Sequence, residues 1–164
     1  MKRAAVLLLI LLLLSGCASP GENTYSDACF SATLPDGFSR VTNAPIVCFA
    51  PHGNPMRESS ITFNATELNW YFDAFSADEY EAALKEQCGY ESLTLTDVKD
   101  CRVDGNKAKR IACRVELDQG QHDLIVYAIS ADRIYFFTLL NREGDPYTEP
   151  FDAMMKSLRF TGDV

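Results

Sequence analysis

VDGNKAKRIACRVEL, residues 103–117, decides the fold. Asp104-Gly105 lies between two alternating runs, and Asp-Gly supplies the positive-φ residues that a tight hairpin turn requires. After the turn Ile111, Cys113, Val115 and Leu117 share one face, while Arg110, Arg114 and Glu116 share the other. That period of two predicts a strand over 107–117, paired across a turn at 104–106 with a strand over 91–103. In this register Cys101 falls opposite about Lys109 and several residues from Cys113, so those two cysteines do not pair.

Downstream, Gly120 and Ala131-Asp132 divide two further strands, 122–130 and 133–141. Both are apolar at nearly every position, as central strands covered on two faces are. A loop over 142–147 leads to a last helix, with Thr148 as its expected cap and Pro150 in its first turn. Phe151, Met154, Met155 and Leu158 form that helix's apolar stripe. Upstream, strands are expected at 29–34, closed by Pro35-Asp36-Gly37, at 46–50, stopped by Pro51, Gly53 and Pro55, and at 60–68, alternating around Ile61, Phe63 and Ala65. Ser76-Ala-Asp-Glu79 is a capping box opening a helix to about Gln87, with Tyr80, Ala83, Leu84 and Gln87 on one stripe and Gly89 as its stop. The order β-β-β-α-β-β-β-β-α, with hairpin-length links in its second half, predicts an α+β fold: an antiparallel sheet of about 6–7 strands flanked by two helices.

The N-terminus reads as a targeting segment. Lys2 and Arg3 precede an apolar stretch over 4–14, shorter than the ~17–25 residues of a membrane span. Leu14-Ser15-Gly16-Cys17 resembles the bacterial lipobox, which implies cleavage before Cys17 and acylation of its thiol. The alternative is an ordinary signal peptide with Cys17 free. A second and third acyl chain would make the anchoring stable where one chain is marginal. The expected division is a lipoprotein signal peptide over 1–16, the lipidated Cys17 and a polar tether over 17–27, and a single domain over 28–164. The expected location is a bacterial cell membrane or outer membrane, on the side facing away from the cytoplasm.

Three motifs carry a wider resemblance. FSATLPDGF (30–38), VDGNKAKRI (103–111) and FDAMMKSLRF (151–160) resemble the opening strand and turn, the central hairpin and the closing helix of PsbP-like domains, over about 28–161. That family includes the photosystem PsbP subunit, Ran-binding Mog proteins and bacterial lipoproteins of the DcrB and LpqN kind. The resemblance implies an α/β/α sandwich around an antiparallel sheet. It implies no shared catalytic set, because members bind unlike partners.

The chemistry is otherwise spare. Removing residues 1–16 takes away Lys2 and Arg3 and deepens the net charge from −8 to −10, which argues against nucleic acid and against attraction to anionic headgroups. The expected partners are the membrane, through the lipid on Cys17, and an unknown protein or envelope component; no cofactor and no metal are expected. Beyond Cys17 the cysteines are Cys29, Cys48, Cys88, Cys101 and Cys113, in no zinc-like spacing. Export permits disulfides. A Cys29–Cys48 bridge is expected if their strand segments lie side by side; Cys88 could reach Cys101 or Cys113, with Cys101 the expected partner. Cys48 and His52 lack a geometry for nucleophilic catalysis. Asn141-Arg-Glu143-Gly-Asp145 spaces oxygens as Ca²⁺ would like, but Pro146 stands where an EF-hand loop needs glycine, so a solvated turn is expected. Trp70, Tyr71 and Phe72, with Phe75, form an aromatic cluster that either docks a partner or packs beneath the first helix. Two functions follow: a non-enzymatic binding or envelope-assembly module, or alternatively an extracytoplasmic hydrolase or thiol-redox enzyme. A pocket with converging polar groups would favour the enzyme, and an apolar groove the binder.

Overall fold

The turn at Asp104-Gly105 forms with φ of 48° and 79°, the left-handed pair of a type I′ hairpin. Around it, a computed structural model describes residues 23–55, 57–67, 77–88 and 92–161. Five strands come first: β1 (Thr24–Ser26), β2 (Phe30–Thr33), β3 (Ser39–Arg40), β4 (Val47–Ala50) and β5 (Ser60–Thr66). Helix α1 (Ala77–Cys88) precedes four long strands, β6 (Thr94–Val103), β7 (Asn106–Leu117), β8 (Gly120–Ser130) and β9 (Ile134–Arg142). Helix α2 (Thr148–Ser157) and β10 (Arg159–Phe160) follow.

Seven strands form one antiparallel sheet in the order β3-β4-β5-β9-β8-β7-β6, and β1-β2-β10 form a small second sheet. On one face α2 contributes Phe151, Met154 and Met155, Leu158 just past its end joins them, and β2 contributes Phe30 and Ala32. These pack on Ile61, Ala108, Ile125, Tyr127, Ile129, Phe137 and Leu139 of the large sheet. The other face gathers Ile111, Cys113, Val115, Leu124 and Val126 beneath Leu84 of α1. Ile125, Tyr127 and Ile129 of β8 thus enter one core and Leu124 and Val126 the other, which is why that strand is apolar from Leu124 to Ile129. Each fully buried large side chain contributes ~1.5–3 kcal/mol. Among the described residues no helix is long and apolar enough to cross a membrane.

Several expectations change. Asn106 pairs with Val103 within the ladder, so the turn has two residues and Cys101 faces Ala108, one place from the expected Lys109. Lys109 faces Asp100 instead and pairs with it at 2.6 Å. Part of the expected tether, Thr24–Ser26, is a strand on β2. Thr148 begins α2 rather than capping it; Tyr147 holds the cap position without a side-chain cap bond.

The expected disulfides are not formed. Cys29 is exposed just before β2, whose neighbours are β1 and β10, whereas Cys48 is buried on β4, between β3 and β5. The two segments belong to different sheets, and both thiols are free. Cys101 is also free, so the Cys88–Cys101 link is absent too; the Cys88 side chain lies outside the described residues. Residues 1–22, including the leader and Cys17, also lie outside them, as do Trp70, Tyr71, Phe72, Phe75, Ser76 and Gly89.

Candidate functional site

Cores bury polar side chains only when they are bonded. Four are buried among the described residues, Ser59, Ser60, His122 and Asn141, and three of them meet at one end of the large sheet. The ladder does the gathering. Ser60 pairs with Leu140 and His122 with Arg142, which brings the start of β5, the start of β8 and the end of β9 to one level. Pro51, His52, Arg57 and Glu58, with Glu143, Asp145 and Tyr147, close around this level.

Ser59, fully buried, is the hub. Its hydroxyl donates to Asp145 Oδ2 at 2.7 Å and accepts from the Arg142 backbone N–H at 2.9 Å. Asn141 Nδ2 donates to the Asp145 carbonyl at 3.0 Å. The Arg142 guanidinium donates to the Arg57 carbonyl and, at 2.9 Å, to Gln119 Oε1. Three chain segments are thereby tied to one strand end.

The cleft that results measures about 450 Å³ and is lined mainly by polar residues. His52 caps one rim: its backbone N–H and Nδ1 donate to Glu58 at 3.0 and 2.9 Å. Burial raises the Glu58 carboxyl, but those His52 bonds outweigh it and hold the group below its ordinary range. His122 is only 4% exposed. Its Nδ1 meets the Gly120 carbonyl at 2.9 Å. A carbonyl only accepts, so Nδ1 carries the proton and Nε2 of the neutral ring is an acceptor. Tyr147 also lines the cleft, its ring fixed edge-on against Phe38 at 4.8 Å.

Tyr147 also lines a second depression of about 460 Å³, between the 34–36 turn and α2, with Leu34, Pro35, Pro146 and Met154. A polar cleft and an apolar groove therefore adjoin at one residue.

Sequence reading singled out some of these residues for other reasons. His52, His122 and the 141–145 stretch all reach the cleft, and the stretch is a turn about Gly144 at φ 85°, as expected. Cys48 does not pair with His52: the thiol is buried, and burial pushes it up from its ordinary value. Ser59, Arg57, Gln119 and Gln121 went unrecognised, since polar residues beside turns look merely solvated. The one available signal was His122 and Asn141 at the ends of otherwise apolar strands.

This arrangement of one open antiparallel sheet, two helices and a small strand layer is the PsbP-like fold. The solution structure of cyanobacterial PsbP (CyanoP) from Synechocystis sp. PCC 6803 is similar over 90% of this chain and 99% of its own, with a TM-score of 0.61 at 17% identity. LpqN of Mycobacterium tuberculosis, described as involved in cell envelope biogenesis, is similar over 81% of this chain and 83% of its own, with a TM-score of 0.55 at 10% identity. No family model matches the sequence. No curated protein matches it. At such identities the likeness concerns the fold.

Proposed function

We propose that the protein is a lipid-anchored binding module of a bacterial envelope, facing away from the cytoplasm, and that it works by recognition rather than catalysis. The convergence of Ser59, His122 and Asn141 on one sheet end carries this reading, since it turns a rigid scaffold into a preformed polar cleft. The adjoining apolar groove suits a binder, because recognition surfaces combine apolar contact with placed polar groups. LpqN, of like fold, is described as an envelope-biogenesis protein, which supports the setting. The lipobox-like Leu14-Ser15-Gly16-Cys17 supports the anchor.

The converging polar groups would also suit an enzyme, but the local chemistry weighs against nucleophilic catalysis. The Ser59 hydroxyl is fully buried and commits its proton to Asp145, and the Cys48 thiol is disfavoured as a thiolate. Two measurements test the proposal. Labelled fatty acid is expected on the wild type and not on Cys17→Ser, which is shed from membranes; an unlabelled wild type contradicts the anchor. Crosslinked capture from native envelopes is expected to fall with Arg57→Ala and Gln121→Ala. Capture indifferent to both variants contradicts a role for the cleft.

A further inference from the structure

We propose that the cleft at the end of β8 and β9 takes a neutral saccharide, with His122 Nε2 accepting from one of its hydroxyls; this rests on the binding-module reading and names its ligand. The central observation is an unused acceptor. His122 spends Nδ1 on the Gly120 carbonyl, and among the described residues Nε2 has no protein partner. No buried polar atom among these residues lacks a partner, so Nε2 must reach solvent, and the open side of His122 is the cleft. A histidine 96% covered and held in one tautomer, with its remaining nitrogen turned to a cavity, is set to receive a donor from a ligand.

The surrounding groups define what that ligand is. The cleft wall carries two arginines against three carboxylates, and two of those carboxylates are engaged, Glu58 by His52 and Asp145 by Ser59. Such a balance favours neither a strong anion nor a strong cation. The residues that line the space bring a mixture of donors and acceptors: Arg57 donates, Gln121 does both, and His122 keeps Nε2 as an acceptor. Hydroxyl-rich ligands need this mixture, because each hydroxyl both donates and accepts. The cavity, about 450 Å³, is of ligand-pocket size but far more polar than the pockets that hold drug-like molecules. Tyr147, locked by Phe38, supplies a flat apolar face at its edge for the C–H side of a sugar ring.

The test uses the folded protein on an array of neutral hexose and N-acetylhexosamine oligomers, followed by amide NMR titration with the bound oligomer and, separately, with inorganic phosphate. The expected result is binding of a neutral oligomer with shifts confined to the amides near His52, 119–122 and 142–147. Gln121→Ala and His122→Phe, which keeps a ring but removes the acceptor, are each expected to weaken binding roughly tenfold. If His122→Phe does not fold, Gln121→Ala decides alone. Binding of no array member, or the same shifts with phosphate in its place, overturns the inference. Failure on the array while envelope capture still depends on Gln121 overturns the saccharide and leaves the binding module standing. An oligomer that binds and is shortened supports the saccharide site and overturns the non-enzymatic reading.

Discussion

Asp152 of α2 grips Arg110 of β7 at two points, Oδ1 to Nε at 2.9 Å and Oδ2 to Nη2 at 3.2 Å. The same Oδ1 accepts the Tyr127 hydroxyl of β8 at 2.8 Å, and burial followed by this carboxylate pushes the phenol well up from its ordinary value. One side chain therefore latches the helix to two neighbouring strands. Asp152→Ala leaves a half-buried guanidinium and a phenol without their acceptor and is expected to cost ~2 kcal/mol. Urea unfolding checks this, and a loss below ~0.5 kcal/mol, the range of an ordinary surface change, contradicts it.

The hairpin that organises the sheet rests on its left-handed turn. Gly105→Ala puts a side chain at φ 79° and is expected to destabilise by ~1–2 kcal/mol. Asp104 adds a second role, since its Oδ2 accepts the Phe160 N–H at 2.9 Å and so holds β10. Thermal unfolding of Gly105→Ala at a Tm equal to wild type contradicts this account of the turn.

The cysteines separate by burial. Cys29 is expected to be alkylated in the native protein, and Cys48, on β4, only after unfolding. Peptide-resolved mass spectrometry reads both. A crosslinked Cys29–Cys48 peptide, or equal native rates, contradicts the assignment of these residues to separate sheets.

Acid tests the small sheet. Burial raises the Asp27 carboxyl, but the backbone N–H bonds of Phe30 and Cys29, with the Tyr25 hydroxyl, outweigh it and lower the group from its ordinary 3.8. The native state thus binds this proton less readily than the unfolded chain. The resulting stability is full above the ordinary value and is lost as pH falls below it, through the native one. Asp27→Asn is expected to flatten the loss of stability below pH ~4. An unchanged acid limb contradicts the assignment.

What the sequence showed depended on periodicity. The β7 alternation, the apolar β8 and β9 and the α2 stripe are each written in adjacent residues, and each forms at nearly the expected bounds. The short strands β1, β3 and β10 carry no period long enough to read, and their pairing is decided by the layer they edge. The Cys29–Cys48 expectation failed for the same reason: proximity along the chain says nothing about which of two sheets a strand joins. The cleft was the least legible feature. Ser59, Gln121 and Asn141 are far apart in sequence, and only the antiparallel register brings them to one end.

Site-specific photocrosslinking in intact cells tests the central claim most directly. A photoreactive residue at position 143 stands at the cleft and leaves Arg57, Gln121 and His122 in place, and one at position 100 stands on β6, where the Asp100 side chain is 84% exposed and remote in the sheet order from β5. The account predicts a discrete envelope adduct from position 143 that is lost with Arg57→Ala, and none from position 100. An adduct from position 100 with none from 143 would contradict it.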